Sequence, residues 1–225
     1  MTPLRIYIGY DPREAIAYHV LSQSIMDRAS EPVTITPLAR STLLGIHKRE
    51  RGPLDSTDFS ITRFLVPYLS DYSGISIYMD CDMLCKADIW KLAALREPGR
   101  SVSVVKHDYK PTSLVKMDGQ IQTAYQRKNW SSLMVFDNHA CWGLTPEYVN
   151  AASGLALHQF EWLQYHRIGS LPLEWNWLVG EYAHNPNAKL LHYTLGGPWF
   201  DHYPQSEHNS EWITERFKLM PHTEA

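Results

Sequence analysis

Ile75-Ser76-Ile77-Tyr78-Met79-Asp80-Cys81-Asp82 is an apolar run that ends in two carboxylates one residue apart. In an extended segment, residues i and i+2 project to one side, roughly 7 Å apart. A strand that stops here therefore aims two hard oxygen ligands past its carboxyl edge. That arrangement suits a divalent cation which holds a diphosphate and offsets charge on a departing phosphate. The plainer reading is an Asp-rich turn, because Asp favours strand ends. The surrounding chain has to decide between the two.

Working outward, residues 4 to 10 read as a strand, with Ile6 and Ile8 alternating against Arg5 and Tyr7. Asp11-Pro12-Arg13-Glu14 then opens a helix. Asp caps it, Pro takes the first helical position, and Glu follows three residues after the cap. Ile16, Val20, Leu21 and Ile25 form its apolar stripe. Residues 33 to 38 are a second strand, and 41 to 56 a polar loop. Ile61, Phe64, Leu65, Tyr68 and Leu69 share a helix face that Pro67 must kink or end. Beyond the acid pair, Asp88 caps a short helix bearing Ile89, Leu92 and Leu95. Residues 101 to 105 and 132 to 136 are apolar enough for inner strands. Pro146 and Glu147 start a helix, 160 to 165 and 175 to 182 read as helical, and 188 to 192 as a short strand. From Tyr193 the tail shows no clear period.

Strand and helix alternate through the first hundred residues, which predicts an α/β fold with a mainly parallel sheet and right-handed crossovers. Ligands of such sheets collect beyond the carboxyl ends of the strands. Asp11 and Asp82 both fall at such ends and can face one crevice.

The chain has 225 residues, enough for one sizeable domain. Its formal charge of -3 argues against a general nucleic-acid binder but leaves room for a nucleotide ligand. Cys81, Cys85 and Cys141 are odd in number and lack paired spacing, so they read as reduced thiols of a cytoplasmic protein. Zinc fails on the same ground, since Cys81 and Cys85 have no matching second pair. No segment approaches the ~18 apolar residues of a membrane span. Peripheral contact at the inner membrane face stays open, and His47-Lys48-Arg49 with Arg51 is a small basic run that is either solvated or turned to an anionic acceptor or headgroup. Eight Trp and thirteen Tyr supply core, and also platforms on which sugars and bases stack.

With these pieces placed, the sequence resembles nucleotide-sugar glycosyltransferases of the A-type (GT-A) fold, most closely the retaining family 8 group of glycogenin and bacterial lipopolysaccharide glycosyltransferases. Four segments carry the resemblance, in order: Ile6-Tyr7-Ile8-Gly9-Tyr10-Asp11, Ser60-Ile61-Thr62-Arg63-Phe64, Ile77-Tyr78-Met79-Asp80-Cys81-Asp82, and His192-Tyr193-Thr194-Leu195-Gly196-Gly197-Pro198-Trp199. It implies a single Rossmann-like domain over 1–225, with a nucleotide-binding half (1–110) and an acceptor-side half carrying a C-terminal metal-binding loop (111–225).

The resemblance also implies roles. Asp80 and Asp82 match the family's Asp-x-Asp pair and His192 its third metal ligand, a set suited to Mn²⁺ and next to Mg²⁺. Asp11 sits where the family reads the nucleobase, by accepting the N3–H of uracil, and its helix-cap role stands beside that one. Arg63 matches an arginine that faces the donor, and Asp108 a carboxylate that grips donor-sugar hydroxyls. Glu174 and Asn176 stand where an Asp-Gln-Asp segment lies near the anomeric carbon. That segment, Glu174-Trp175-Asn176 here, is itself a departure from the pattern, and there are two more. Trp130-Ser131-Ser132 replaces Asn-Ala-Gly, so a Trp face or the Ser131 hydroxyl takes over a donor contact. Gly197-Pro198-Trp199 replaces Lys-Pro-Trp, leaving the Gly196 and Gly197 amides to meet the diphosphate in place of lysine.

The implied activity is metal-dependent transfer of a hexose, with retention, from a UDP-linked or other nucleotide-diphospho sugar to a glycan, glycolipid or other hydroxyl acceptor. Cell-surface polysaccharide or lipopolysaccharide synthesis is the implied setting. Acceptors are expected to be read by loops 41–56 and 109–130. Two rivals remain: a metal-dependent phosphatase or phosphotransferase, whose nucleophile motif is also Asp-x-Asp, and a catalytically inactive sugar-nucleotide binder.

Overall fold

The computed structural model describes residues 2–52, 56–108, 126–203 and 205–219. Most of the candidate acceptor loop 109–130 therefore lies outside the described residues. Leu4–Tyr10 (β1) and Val33–Ala39 (β2) flank Ala15–Met26 (α1) and pair in parallel, a strand-helix-strand start. Asp11 caps a 3-10 turn, Pro12–Glu14, whose Pro occupies the first turn and costs no hydrogen bond there. The apolar stripe 61–69 forms a 3-10 turn, Thr62–Leu65, running into the short helix Val66–Leu69 (α2). Pro67 lies in the first turn of α2, so it starts that helix instead of breaking one. Tyr68 and Leu95, read as apolar-face residues, are exposed.

Ile75–Met79 (β3) leads to the acid pair, followed by Met83–Cys85 (β4) and Ile89–Ala94 (α3), whose cap Asp88 accepts the Trp90 N–H. Val102–Val105 (β5), Leu133–Asp137 (β6) and Pro146–Ala151 (α4) stand within a residue or two of their predicted places. The remaining elements are Gly154–His158 (α5), Ile168–Leu171 (β7), Trp177–Leu178 (β8), Leu190–His192 (β9) and Asn209–Phe217 (α6).

The main sheet has the order β2-β1-β3-β6-β5-β7. β1 is parallel to β2 and β3, β6 is antiparallel to β3 and β5, and β5 is parallel to β7. The sheet is thus mixed but mainly parallel. β3 is buried from Ser76 to Met79, and places the acid pair above the middle of the sheet. A second sheet, β4-β9-β8, forms beside that point.

Three expectations fail. Residues 160–164 are turn and irregular chain leading to a 3-10 turn, Tyr165–Arg167, with Phe160 at φ 56°, which no α-helix accommodates. The stretch 175–182 contains β8 instead of a helix, because β9 recruits it as a parallel partner. The tail holds α6, whose Trp212 is fully buried in a cluster with Val20, Leu84, Leu191 and Tyr193. That helix earns its place by tertiary burial more than by its own polar sequence.

All three cysteines are buried and unbonded, as predicted. Among the described residues no helix is long and apolar enough to cross a membrane.

Candidate metal and donor site

Asp80 follows directly on β3, whereas Cys81 and Asp82 form a bend before β4, so the two carboxylates converge through a turn of the chain instead of the predicted extended spacing. Cys81 between them turns the other way, fully buried in the core. The Asp80 backbone N–H donates to the Ser132 carbonyl at 2.9 Å, which anchors the pair to the start of β6. His192 arrives from far along the chain because β9 pairs antiparallel with β4, setting Met83 opposite His192. One step further on, the Tyr193 N–H donates to the Asp82 carbonyl at 2.8 Å. The outcome is a convergent group: ligand atoms of Asp80, Asp82 and His192 lie within 4.8 Å of one another. His192 Nε2 is 3.3 Å from Asp82 Oδ1.

Two neighbours shape Asp80. Arg63 Nη1 lies 2.9 Å from its Oδ1, and the Tyr78 hydroxyl donates to the same oxygen at 2.6 Å. Arg63 is itself buried, donating to the carbonyls of Phe59 and Ser131 and lying over the Phe59 and Tyr78 rings. Burial pushes the Asp80 carboxyl above its ordinary value; Arg63 opposes this, and the negative charge of Asp82 adds to it. Both contacts, the Arg63 ion pair and the Tyr78 hydroxyl hydrogen bond, fall on Oδ1. Tyr78 was overlooked in the sequence, although the i, i+2 rule of an extended chain pairs Tyr78 with Asp80.

The donor set fits a hard or borderline divalent cation. Two carboxylates and one imidazole converge at a partly buried place, where like charges repel more strongly than in open water and a doubly charged ion relieves them.

The other candidates fall around this group in different ways. Asn176 is fully buried; its Oδ1 meets His192 Nδ1 at 2.9 Å and its amide nitrogen meets Ser132 Oγ at 2.9 Å. Ser131 places its hydroxyl 2.7 Å from His158 Nδ1 and gives its carbonyl to Arg63. Asp11 is buried, and its two oxygens accept from Arg13 N, Nε and Nη2 and from the Asp58 N–H. Burial raises its carboxyl, but these hydrogen bonds and the Arg13 charge outweigh that and hold it below its ordinary value. Glu174 forms a partly exposed ion pair with Lys189 at 3.3 Å, and Asp108 is exposed beside the undescribed stretch. Neither joins the convergent group.

The Gly196 N–H donates to the Tyr193 carbonyl in a turn with φ 107°, a conformation open to glycine. At Gly197 a Cβ would stand 2.2 Å from the Trp199 ring, so this glycine exists to let the indole close over the loop. Trp199 in turn donates to Glu14 at 3.1 Å and packs on Trp212. The loop after His192 is thereby pinned to the entrance of α1 and to α6.

Known structures share this architecture. WbbM, a bifunctional glycosyltransferase in its apo form, superposes with TM-score 0.64 and 16% identity over 96% of this chain and 50% of its own. GlyE of Streptococcus pneumoniae TIGR4, a glycosyltransferase, gives 0.63 and 13% over 98% of this chain and 61% of its own. The galactosyltransferase LgtC, in complex with donor and acceptor sugar analogues, gives 0.55 and 10% over 97% and 98%. The chain thus spans half to three fifths of the first two and nearly all of the third. At these identities the likeness establishes the A-type glycosyltransferase fold. No protein-family model matches the sequence. Protein CDI of Arabidopsis thaliana is 46% identical over 222 residues, covering 95% of this chain and 86% of its own length, and the chain belongs to the family of that protein.

Proposed function

We propose that this chain is a metal-dependent hexosyltransferase using a nucleotide-diphospho sugar, UDP-linked, and a hydroxyl acceptor on a glycan or glycolipid. One observation carries the reading: Asp80, Asp82 and His192 converge within 4.8 Å at the carboxyl edge of β3, in a fold shared with glycosyltransferases. A divalent cation bound there, Mn²⁺ before Mg²⁺, supplies positive charge against the diphosphate as the glycosidic bond breaks.

The chain's own residues do the rest. Asp80, Asp82 and His192 would hold the ion, and Arg63 and Tyr78 fix Asp80 through its Oδ1. The fixed side chains contribute by preorganisation, since they need not reorient as charge develops. Asp11, at the edge of β1, reads the uracil N3–H when Arg13 yields one of its hydrogen bonds. Ser131, Gly196 and Gly197 line the donor, and Asp108 and Glu174 stand toward the sugar and acceptor. Retention of configuration, and membership of the family 8 group, follow from the resemblance of the Asp-x-Asp and His192 segments. The halves 1–110 and 111–225 divide donor from acceptor duties. A phosphatase is the weaker reading, because that chemistry needs a downstream lysine and acidic pair which have no counterpart in the sequence motifs.

A thermal-shift screen of UDP-glucose, UDP-galactose and UDP, each with and without Mn²⁺, tests donor class and ion together. Binding at a hundredfold excess over Kd adds about 2.7 kcal/mol of stability, which is readily seen. A nucleotide sugar that stabilises only with Mn²⁺, followed by sugar release in the presence of acceptor, is the expected result. Stabilisation without turnover on any acceptor would indicate an inactive binder, and no response to any of them would remove the reading.

A further inference from the structure

We propose that Asn129, Ser132 and Asn176 act as a one-way hydrogen-bond relay that holds His192 in its Nδ1–H tautomer, keeping the Nε2 lone pair turned toward Asp82. The inference deepens the metal site proposed above and rests on that reading for its purpose, though not for its geometry.

The direction of each link follows from what each atom can do. The Ser132 hydroxyl lies 2.7 Å from the Asn129 carbonyl oxygen, which only accepts, so the hydroxyl proton is spent there. The Asn176 group 2.9 Å from Ser132 Oγ must then donate, which makes it the amide nitrogen. Asn176 is thereby fixed in rotation, and its Oδ1 faces His192 Nδ1 at 2.9 Å. An amide oxygen only accepts, so Nδ1 carries the proton. In the neutral ring, Nε2 is left as a lone pair 3.3 Å from a carboxylate oxygen of Asp82.

Without the relay the opposite tautomer would be favoured. A proton on Nε2 would donate to Asp82 and close the ligand position. Asn176, His192 and Ser132 are all buried, so water does not scramble the network. The fold delivers each partner: β8 runs parallel to β9 with Leu178 opposite His192, which sets Asn176 alongside the histidine. Ser132 meanwhile accepts the Asp80 backbone N–H. A single residue at the head of β6 thus connects two of the three candidate ligands. Asn176 is a positioning residue by this account, and partners of this kind typically change metal affinity 10- to 100-fold.

The test reads the tautomer directly. Long-range ¹H–¹⁵N spectra of the cation-free protein, with the His192 signals identified by their loss in His192→Gln, should show a protonated Nδ1 and a bare Nε2. Asn176→Ala should move the proton to Nε2 and weaken Mn²⁺ binding, followed by electron paramagnetic resonance, by 10- to 100-fold. Asn176→Asp, which still accepts from Nδ1, should restore the wild-type tautomer. Ser132→Ala keeps the backbone link to Asp80, and serves if Asn176→Ala does not fold; it should give a mixture of tautomers. A wild-type protein protonated at Nε2, or a tautomer unmoved in both Asn176→Ala and Ser132→Ala, overturns the relay. Wild-type protein that shows the expected tautomers but binds no Mn²⁺ supports the relay and refutes the metal reading alone.

Discussion

The Tyr193 backbone N–H donates to the Asp82 carbonyl at 2.8 Å, so the late loop is tied to the acid pair through main-chain atoms. The tie extends the β4–β9 pairing by one step and brings an imidazole to two carboxylates that the chain placed at the end of β3. The position of His192 is therefore set by sheet register and not by side-chain flexibility.

Asp82 is one of the two carboxylates in the convergent group, and its side chain faces His192 Nε2 at 3.3 Å. Asp82→Ala should abolish Mn²⁺-dependent stabilisation and lower sugar release from a UDP-hexose on the order of a thousandfold, about 4 kcal/mol of barrier. Turnover measured with saturating Mn²⁺ checks this, and an unchanged rate would sink the metal assignment.

The Arg63–Asp80 pair is buried on both sides, so losing one partner strands the other. Arg63→Met should cost about 3–5 kcal/mol in urea unfolding. Adding Asp80→Asn should recover part of that loss, because the uncompensated charge is gone. A double variant no more stable than the single one would show that Arg63 acts mainly through its aromatic packing and carbonyl contacts.

Two histidines make stability pH-dependent. Burial pushes His107 down to about 3, with His192 adding to it, and burial with the Arg63 charge does the same to His158, also to about 3. Unfolded, both titrate near 6.5, so between these values the unfolded chain binds more protons. Stability should be fully present above about pH 6.5 and fall as pH drops toward 3, by about 1.4 kcal/mol per pH unit for each histidine. Denaturant midpoints from pH 7 to 4 measure the slope, and His158→Gln should reduce it.

Asp11 separates capping from base reading. Asp11→Ala should lose about 1 kcal/mol as the cap disappears, whereas Asn remains a good cap. Asp11→Asn should keep the cap and lose only the partly exposed Arg13 ion pair, a smaller loss than in Asp11→Ala, yet weaken UDP binding about tenfold, since a charged acceptor for the uracil N3–H is lost. Equal calorimetric affinity for UDP in wild type and Asp11→Asn would assign the residue to the cap alone.

The loop bearing His192 depends on its aromatic lock. Trp212→Ala removes a fully buried ring and should cost about 3–5 kcal/mol. Gly197→Val drives a side chain into Trp199 and should weaken Mn²⁺ binding more than it lowers the melting temperature. The reverse pattern would mean that the loop moves independently of the metal site.

Much of the fold through α3 was legible because its signals are local. The alternation in β1, the Asp11-Pro12 entry, the Asp88 cap and the apolar run 75–79 before the acid pair each depend on residues a few positions apart. The readings of 160–165 and 175–182 as helix failed because a left-handed Phe160 and the recruitment of β8 by β9 override periodicity. α6 was invisible because its place rests on Trp212 meeting Val20 and Tyr193.

By itself, the amino-acid sequence determined that two carboxylates follow directly on a buried strand, since an apolar run ending in Asp marks a strand end. Only the tertiary structure decided that His192 joins them, that Arg63 grips Asp80 instead of lying open, and that Asn176 serves His192. Those relations join distant segments, and they exist only once non-local strand pairing and core packing have fixed which segments meet.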